Sequence, residues 1–443
     1  MAEHATTGLK PPGVRGASWR FWLWVALLSA GLGIGLISIL MVLINGLGVT
    51  NLTDQLPWGL WITVDLSFIA LGAGGFTLSA MVYIFGLKRY EAIARAAIWV
   101  GLIGYTSAML ALFVDIGRPD RFYHPMLYWN VHSVLWEITI CVMLYSTILI
   151  IELVPVVIES TRLNNSPFFV KLGHNLHRLM PVVAFVGLGL SLLHQSSLGA
   201  TYGILTARPF WYSPSAPVLF ILSAIAAGIS AVLAVTIVSG RLMRRQLVPA
   251  DIIASVARFA GFAVLAYLYL KLWSWAATNY YSHTPGQASG QEILNQFTPY
   301  SYTFWLGEVL FGALVPAFLL LWNRTRRNPY AVVLAALMII AGLVINRWNM
   351  TLSGFVIPLD WSPGVLDVFP VNSYFPSLVE WGVALGIVCY AGMVYTLGVR
   401  FLTLYPDAQL LDAPEVAEGP PEPEPDAGPP APAADQAAAT TTV

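Results

Sequence analysis

Residues 57–87 read PWGLWITVDLSFIALGAGGFTLSAMVYIFGL. A run this long and this apolar can cross a bilayer, because roughly 20 helical residues at 1.5 Å each span a hydrocarbon core of about 30 Å. Yet it carries a carboxylate, Asp65, about 10 Å along the helix counted from Trp58. A charged side chain at mid-membrane costs about 2.5 kcal/mol or more even on lenient scales, so such a group marks a functional site unless a partner accounts for it.

Composition places the whole chain in the same class. Of 443 residues, 57% are apolar and only 10% charged, with a mean hydropathy of +0.70, against roughly 25% charged in a soluble domain. Ten apolar runs are long enough to span: Phe21–Asn45, Trp58–Leu87, Ala92–Asp115, Val131–Pro155, His174–Leu198, Pro214–Ser239, Ile252–Ala277, Thr303–Trp322, Tyr330–Asn349 and Pro376–Val399. The expectation is an all-α polytopic membrane protein. A short cytoplasmic segment (1–19) precedes a ten-helix domain (20–405), and a Pro/Ala/Glu-rich tail (406–443) lacks the apolar residues to fold. The first run is too long for a signal-peptide core and reads as a retained helix.

Lys and Arg divide the connections by side. Lys10, Arg15, Arg20, Lys88, Arg89, Arg95, Arg162, Lys171, Arg178, Arg241, Arg244, Arg245, Arg324, Arg326, Arg327 and Arg400 fall on one side, whereas the other holds mainly Arg118, Arg121, Arg208 and Arg347. The positive-inside rule then puts both termini in the cytoplasm. The outer connections, at 117–130, 199–213, 278–302 and 350–375, are longer and rich in Trp, Tyr, Pro and His, which suits a docking platform. With a net charge of -1 and its cations assigned to membrane faces, no nucleic-acid partner is expected. Cys141 and Cys389 both lie in apolar runs and supply neither a disulfide framework nor an iron–sulfur ligand set.

Depth gathers the scattered polar residues. Asp65 and Glu137 lie at similar distances from the outer surface, Asp115 closes the third run there, His132 opens the fourth, and His194 sits in the last outer turn of the fifth. Plainer readings stand beside this cluster. Asp115 and His132 suit interfacial positions, Asp65 and Glu137 suit a structural salt bridge to Arg118 or Arg121, Asp120 suits an exposed partner of those arginines, and His124 suits a loop. The end of the fifth run, His194-Gln195-Ser196-Ser197-Leu198-Gly199, offers hydrogen-bonding groups beside small residues. A quinone headgroup needs that combination: its carbonyls accept hydrogen bonds, its reduction takes up protons, and histidine exchanges protons near neutrality. The competing cofactor is a single outer haem b with His132 and His194 as its axial pair, and intramembrane carboxylates also suit a proton-coupled transporter.

Two weaker features complete the reading. Glu308, Arg347, Asn349 and Glu380 form a second outer polar group, read either as an ion-pair network or as a site. Beneath Asp65, Gly72, Gly74 and Gly75 are followed by Thr77 and Ser79, which could extend a proton route inward.

Pro57-Trp58-Gly59-Leu60-Trp61 with Asp65, Ala73-Gly74-Gly75-Phe76, Gly86-Leu87-Lys88-Arg89-Tyr90-Glu91, Asp115-Ile116-Gly117-Arg118-Pro119, Trp129-Asn130-Val131-His132-Ser133 with Glu137, and the His194–Gly199 run together resemble the NrfD/PsrC family. Within it, the chain looks most like the ten-helix Hyb-type membrane subunit of nickel–iron hydrogenases. The resemblance covers about 21–405 and is most specific in the early motifs. It implies a non-autonomous, quinone-reactive subunit of a respiratory oxidoreductase in the cytoplasmic membrane, commonly without haem. Such a subunit exchanges electrons between menaquinone or ubiquinone and a ferredoxin-like iron–sulfur subunit on the outer face, which joins it to a catalytic subunit. Carried over, Asp65, His132, Glu137 and His194 take part in quinone binding or protonation, with Asp115, Arg118 and His124, beside Gln195 and Ser196, in support. Family branches serve hydrogenases, molybdenum enzymes and alternative respiratory complexes, so the catalytic partner is not implied.

Overall fold

A computed structural model describes residues 18–206, 208, 210–280, 300–356 and 374–405. The expectations for residues 1–17 and for the tail from 406 onward lie outside the described residues, as do large parts of two outer connections, 281–299 and 357–373.

Among the described residues, ten helices are long and apolar enough to span: Trp19–Val49, Leu60–Tyr83, Lys88–Asp115, Val134–Ser160, Pro167–Gly203, Ala216–Met243, Ala250–Ala277, Tyr300–Leu321, Pro329–Phe355 and Leu378–Phe401. No strand is assigned among the described residues. The chain is a multi-pass integral membrane protein with the all-α architecture its hydropathy implies.

The spans form two bundles. Spans two to five pack together, spans six to nine pack together, and contacts of the second span with the sixth and ninth, and of the fifth with the sixth, join them. The first span pairs with the tenth at the flank, where Gly35 meets Gly386 so closely that a Cβ on either would sit within 2.5 Å of the other's Cα. Backbone contact of this kind is how helices adhere in lipid, where no hydrophobic force drives them together.

Local chemistry moves several expected boundaries. The second span is not continuous: it runs as Leu60–Gly72 and Gly74–Tyr83, interrupted at Ala73, whose N–H bonds three residues back to Ala70. Glycines disfavour helix, and this break presses against the sixth span, where a Cβ on Gly228 would lie 2.1 Å from the Gly74 nitrogen. The fourth span begins at Val134 because Ser133 caps it, accepting from the Trp136 N–H. His132 therefore precedes that helix, in a turn, and does not open it. The fifth helix is longer than its apolar run, Pro167–Gly203, which leaves His194 well inside it and not in its last turn. In the eighth span, Thr303–Leu314 is a π-helix.

Candidate outer quinone site

His194 is the centre of the first bundle's polar interior. It is fully buried, and its Nδ1 lies 3.0 Å from the Tyr105 hydroxyl of the third span. Tyr105 packs in turn on Tyr145 of the fourth span, with ring centroids 4.6 Å apart. His194 Nε2 is buried with no hydrogen-bond partner. The neighbouring Gln195 donates to the Ile69 carbonyl of the second span at 3.4 Å.

One turn toward the C-terminal end of the fifth span, Ser197 Oγ lies 2.8 Å from Glu137 Oε1 and 2.9 Å from the Leu193 carbonyl. A hydroxyl has one proton to donate, so both bonds form together only when Glu137 brings a proton of its own. Ser197 thus couples the Glu137 carboxyl to the His194 helix in a way that depends on protonation.

Asp65 is buried, accepts no hydrogen bond from a side chain among the described residues, and lies within electrostatic reach of Asp115 and Tyr105. Asp115 Oδ1 is buried and also unpartnered, and Asp115 is coupled electrostatically to Glu380. Neither carboxylate is bridged to an arginine among the described residues, and Arg118 and Arg121, the partners expected for Asp65, both face Asp120. Arg118 instead grips Asp120 with two bonds of 3.1 Å at the surface and holds that carboxyl below the usual carboxylate range.

The expected site residues therefore separate. Asp65, Asp115, Glu137, His194 and Gln195 belong to the interior. Arg118 and His132 are exposed, and half-buried His124 lies edge-on between Tyr123 and Tyr128, among the exposed aromatics Tyr128 and Trp129. Ser196 is satisfied by the Leu193 carbonyl at 2.8 Å and takes no part in the interior network. Glu380 leaves the second polar group: it closes a capping box with Ser377 and accepts from Tyr374 and from the Asn51 N–H. Arg347, expected as an outer-loop cation, is 1% exposed inside the ninth span.

Three buried groups escaped the sequence reading. Glu152, deep in the fourth span, accepts from Ser79 at 2.9 Å, so the second-span hydroxyl below Asp65 meets a carboxylate there. Ser146, nearly two turns nearer the pocket, has a buried hydroxyl with no partner among the described residues. Lys271 of the seventh span bonds Glu308. A lone charge in an apolar run is the signal that would have found both Glu152 and Lys271.

The family model described as "Polysulphide reductase, NrfD" matches residues 48–358. The chain belongs to the NrfD family. Among its relatives, the menaquinone reductase integral membrane subunit of Nitratidesulfovibrio vulgaris is 35% identical over 399 residues, covering 87% of this chain and 92% of the relative. The Hdr-like menaquinol oxidoreductase integral membrane subunit of Archaeoglobus fulgidus is 24% identical, covering 89% and 96%. The probable Ni/Fe-hydrogenase 2 b-type cytochrome subunit of Escherichia coli is 28% identical over 383 residues, covering 82% and 88%. The NrfD match spans the whole first bundle and the second bundle through the ninth span, so the His194 cluster lies within it.

Proposed function

We propose that this NrfD-family chain is the quinone-reactive membrane subunit of a respiratory oxidoreductase in the cytoplasmic membrane, with both termini cytoplasmic. It exchanges electrons with a ferredoxin-like iron–sulfur subunit that rests on the outer aromatic lip and connects to a catalytic subunit. The observation that carries this reading is His194, fully buried, with one ring nitrogen on Tyr105 and the other free, one turn from the Glu137–Ser197 pair.

The chemistry follows from that arrangement. When Tyr105 donates to Nδ1, the proton of a neutral imidazole resides on Nε2, where it can be donated to a quinone carbonyl. Reduction to quinol takes two electrons, delivered from the outer partner, and two protons. Glu137 supplies one proton at the outer edge, and Ser197 reorganises as it does so. Because His194 and Gln195 have no exposed surface, a headgroup must enter by displacing side chains, and half-buried Glu137 marks the side that opens. Running the sequence backwards oxidises quinol equally well.

Glu152 and Ser79 are the inner-side proton source for this site. Glu152 lies within electrostatic reach of Tyr145 on the pocket side and of Tyr83 on the other, and Tyr83 is coupled to Glu91 and Glu159 near the cytoplasmic end. With electrons and the Glu137 proton from the outer face and the second proton from the inner one, turnover would be electrogenic. In sealed vesicles, Glu152→Gln should remove inner-side proton uptake during quinone reduction, read with an enclosed pH dye; uptake at the wild-type rate would reject the route.

A b-type haem would need two buried histidines at matching depth. Of the described histidines, His124, His132, His174, His177 and His194, only His194 is buried. The described residues offer no such pair, which supports a haem-free reading, and a visible spectrum of the purified complex, expected to lack haem bands of this subunit, checks it. The function itself is tested by assaying the complex with and without this chain. Quinone reduction should disappear without it while dye reduction by the remaining subunits persists, and equal quinone reduction in both would overturn the assignment.

A further inference from the structure

The second bundle holds a buried polar network with no part in the site above. Glu308 accepts from Lys271 Nζ, from Asn346 at 2.7 Å and from Asn349 at 2.5 Å. Asn349 also accepts from Thr303 at 3.0 Å, so two residues five apart in the π-helix share one partner, as its wider turn permits. Arg347 donates to Asn346 at 2.9 Å and to Ser223 at 2.8 Å, and its guanidinium lies 3.7 Å over the Phe220 ring. No carboxylate among the described residues comes within 4.0 Å of it.

Formal charge therefore does not close. Among the described residues, Lys271 and Arg347 face one carboxylate, Glu308, an excess of positive charge in the membrane interior, where an uncompensated cation is costly. Such a network would serve as helix glue without the second cation. Its excess calls for an electron-rich partner.

Beside the network is a cavity of about 150 Å³, close to the size that admits a single aromatic ring. Its walls include Trp211, Phe220, Trp275 and Phe304, while Lys271 and Arg347, together with Glu308, line the polar end. Ring-bearing walls with a few convergent polar groups suit a flat organic headgroup, whereas a small hydrated anion would meet mostly aromatic faces. Trp211 also stacks on Trp58, with centroids 5.8 Å apart, at the start of the second span, so this cavity and the first bundle share an aromatic partition.

We propose that this cavity is a second binding site for a planar, carbonyl-bearing headgroup of the quinone class, its carbonyl oxygen directed to the Lys271–Arg347 end. This goes beyond the His194 site and uses none of its residues.

The test is binding stoichiometry of radiolabelled duroquinone, a single-ring quinone, on the intact purified complex. The wild type should bind a second equivalent per copy of this chain, and Leu219→Trp, which fills the cavity from its wall without altering the charged network, should lose it. Lys271→Met should lose the same equivalent, and if that variant fails to fold, Leu219→Trp still decides. A stoichiometry unchanged by Leu219→Trp overturns the second site. Should the wild type bind one equivalent that Leu219→Trp abolishes, the cavity does take the quinone class and the His194 assignment is the one that falls.

Discussion

Glu137→Leu is expected to slow quinone-linked turnover of the intact complex by about 100-fold or more, within the range lost when a positioned acid or base is removed. Dye reduction by the partner subunits should stay at its wild-type rate, because those electrons never reach this chain. The expectation rests on geometry: Glu137 is the half-buried carboxyl bonded to Ser197, one turn from His194, and leucine keeps its bulk while removing its proton. Glu137→Gln separates donation from charge. Glutamine can still bond Ser197 but cannot pass a proton, so it should bind quinone and turn over slowly. Paired quinone and dye assays check both variants, and near-normal quinone turnover in Glu137→Leu would remove the residue from the site.

Glu308→Leu should carry the largest stability loss, about 3–5 kcal/mol, the cost of leaving a buried charge without its partner. Lys271 would keep only the Tyr267 hydroxyl, at 3.0 Å, as a hydrogen-bond acceptor, and Asn346 and Asn349 would each lose an acceptor. The double variant Lys271→Met/Glu308→Leu should be less damaged than Glu308→Leu alone, since it removes both charges. Thermal unfolding of the detergent-solubilised chain reads the difference. A Glu308→Leu protein as stable as wild type would show that the network contributes nothing to holding spans seven, eight and nine together.

Much of this molecule is legible from residue pattern, for reasons particular to membranes. A bilayer leaves the backbone few choices, so ten apolar runs become ten helices. Asp65, Glu137 and His194 stood out because charge and polarity are expensive there, and all three lie in the first bundle's interior. Depth alone could not separate lip from interior. His132 is close to Glu137 in sequence, but Ser133 caps the helix between them and leaves the histidine outside, in an exposed turn. Arg347 stands close enough to the end of its apolar run to resemble an outer-side cation, yet the helix continues to Val356 and carries it inside. Glu152 and Lys271 bear the same mark as Asp65 but sit apart from the outer cluster. The π-helix leaves no recognisable period in twelve residues, so the pairing of Thr303 and Glu308 on Asn349 emerges only in three dimensions.

The interior reading has a physical consequence. Tyr105, His194 and the Glu137–Ser197 pair are drawn from the third, fourth and fifth spans, while Asp65 and the Gln195 acceptor Ile69 come from the broken second span. A headgroup entering there must part the fifth span from the second or the fourth. The interruption at Ala73 gives the second span a natural point at which to yield.

The most direct measurement is the experimental density of the intact complex prepared with excess quinone. The account predicts a planar headgroup with one carbonyl at His194 Nε2 and its edge near Glu137 and Ser197. Density that leaves His194 packed as it is here, with no ligand beside it in a preparation that turns over quinone at full rate, would contradict it.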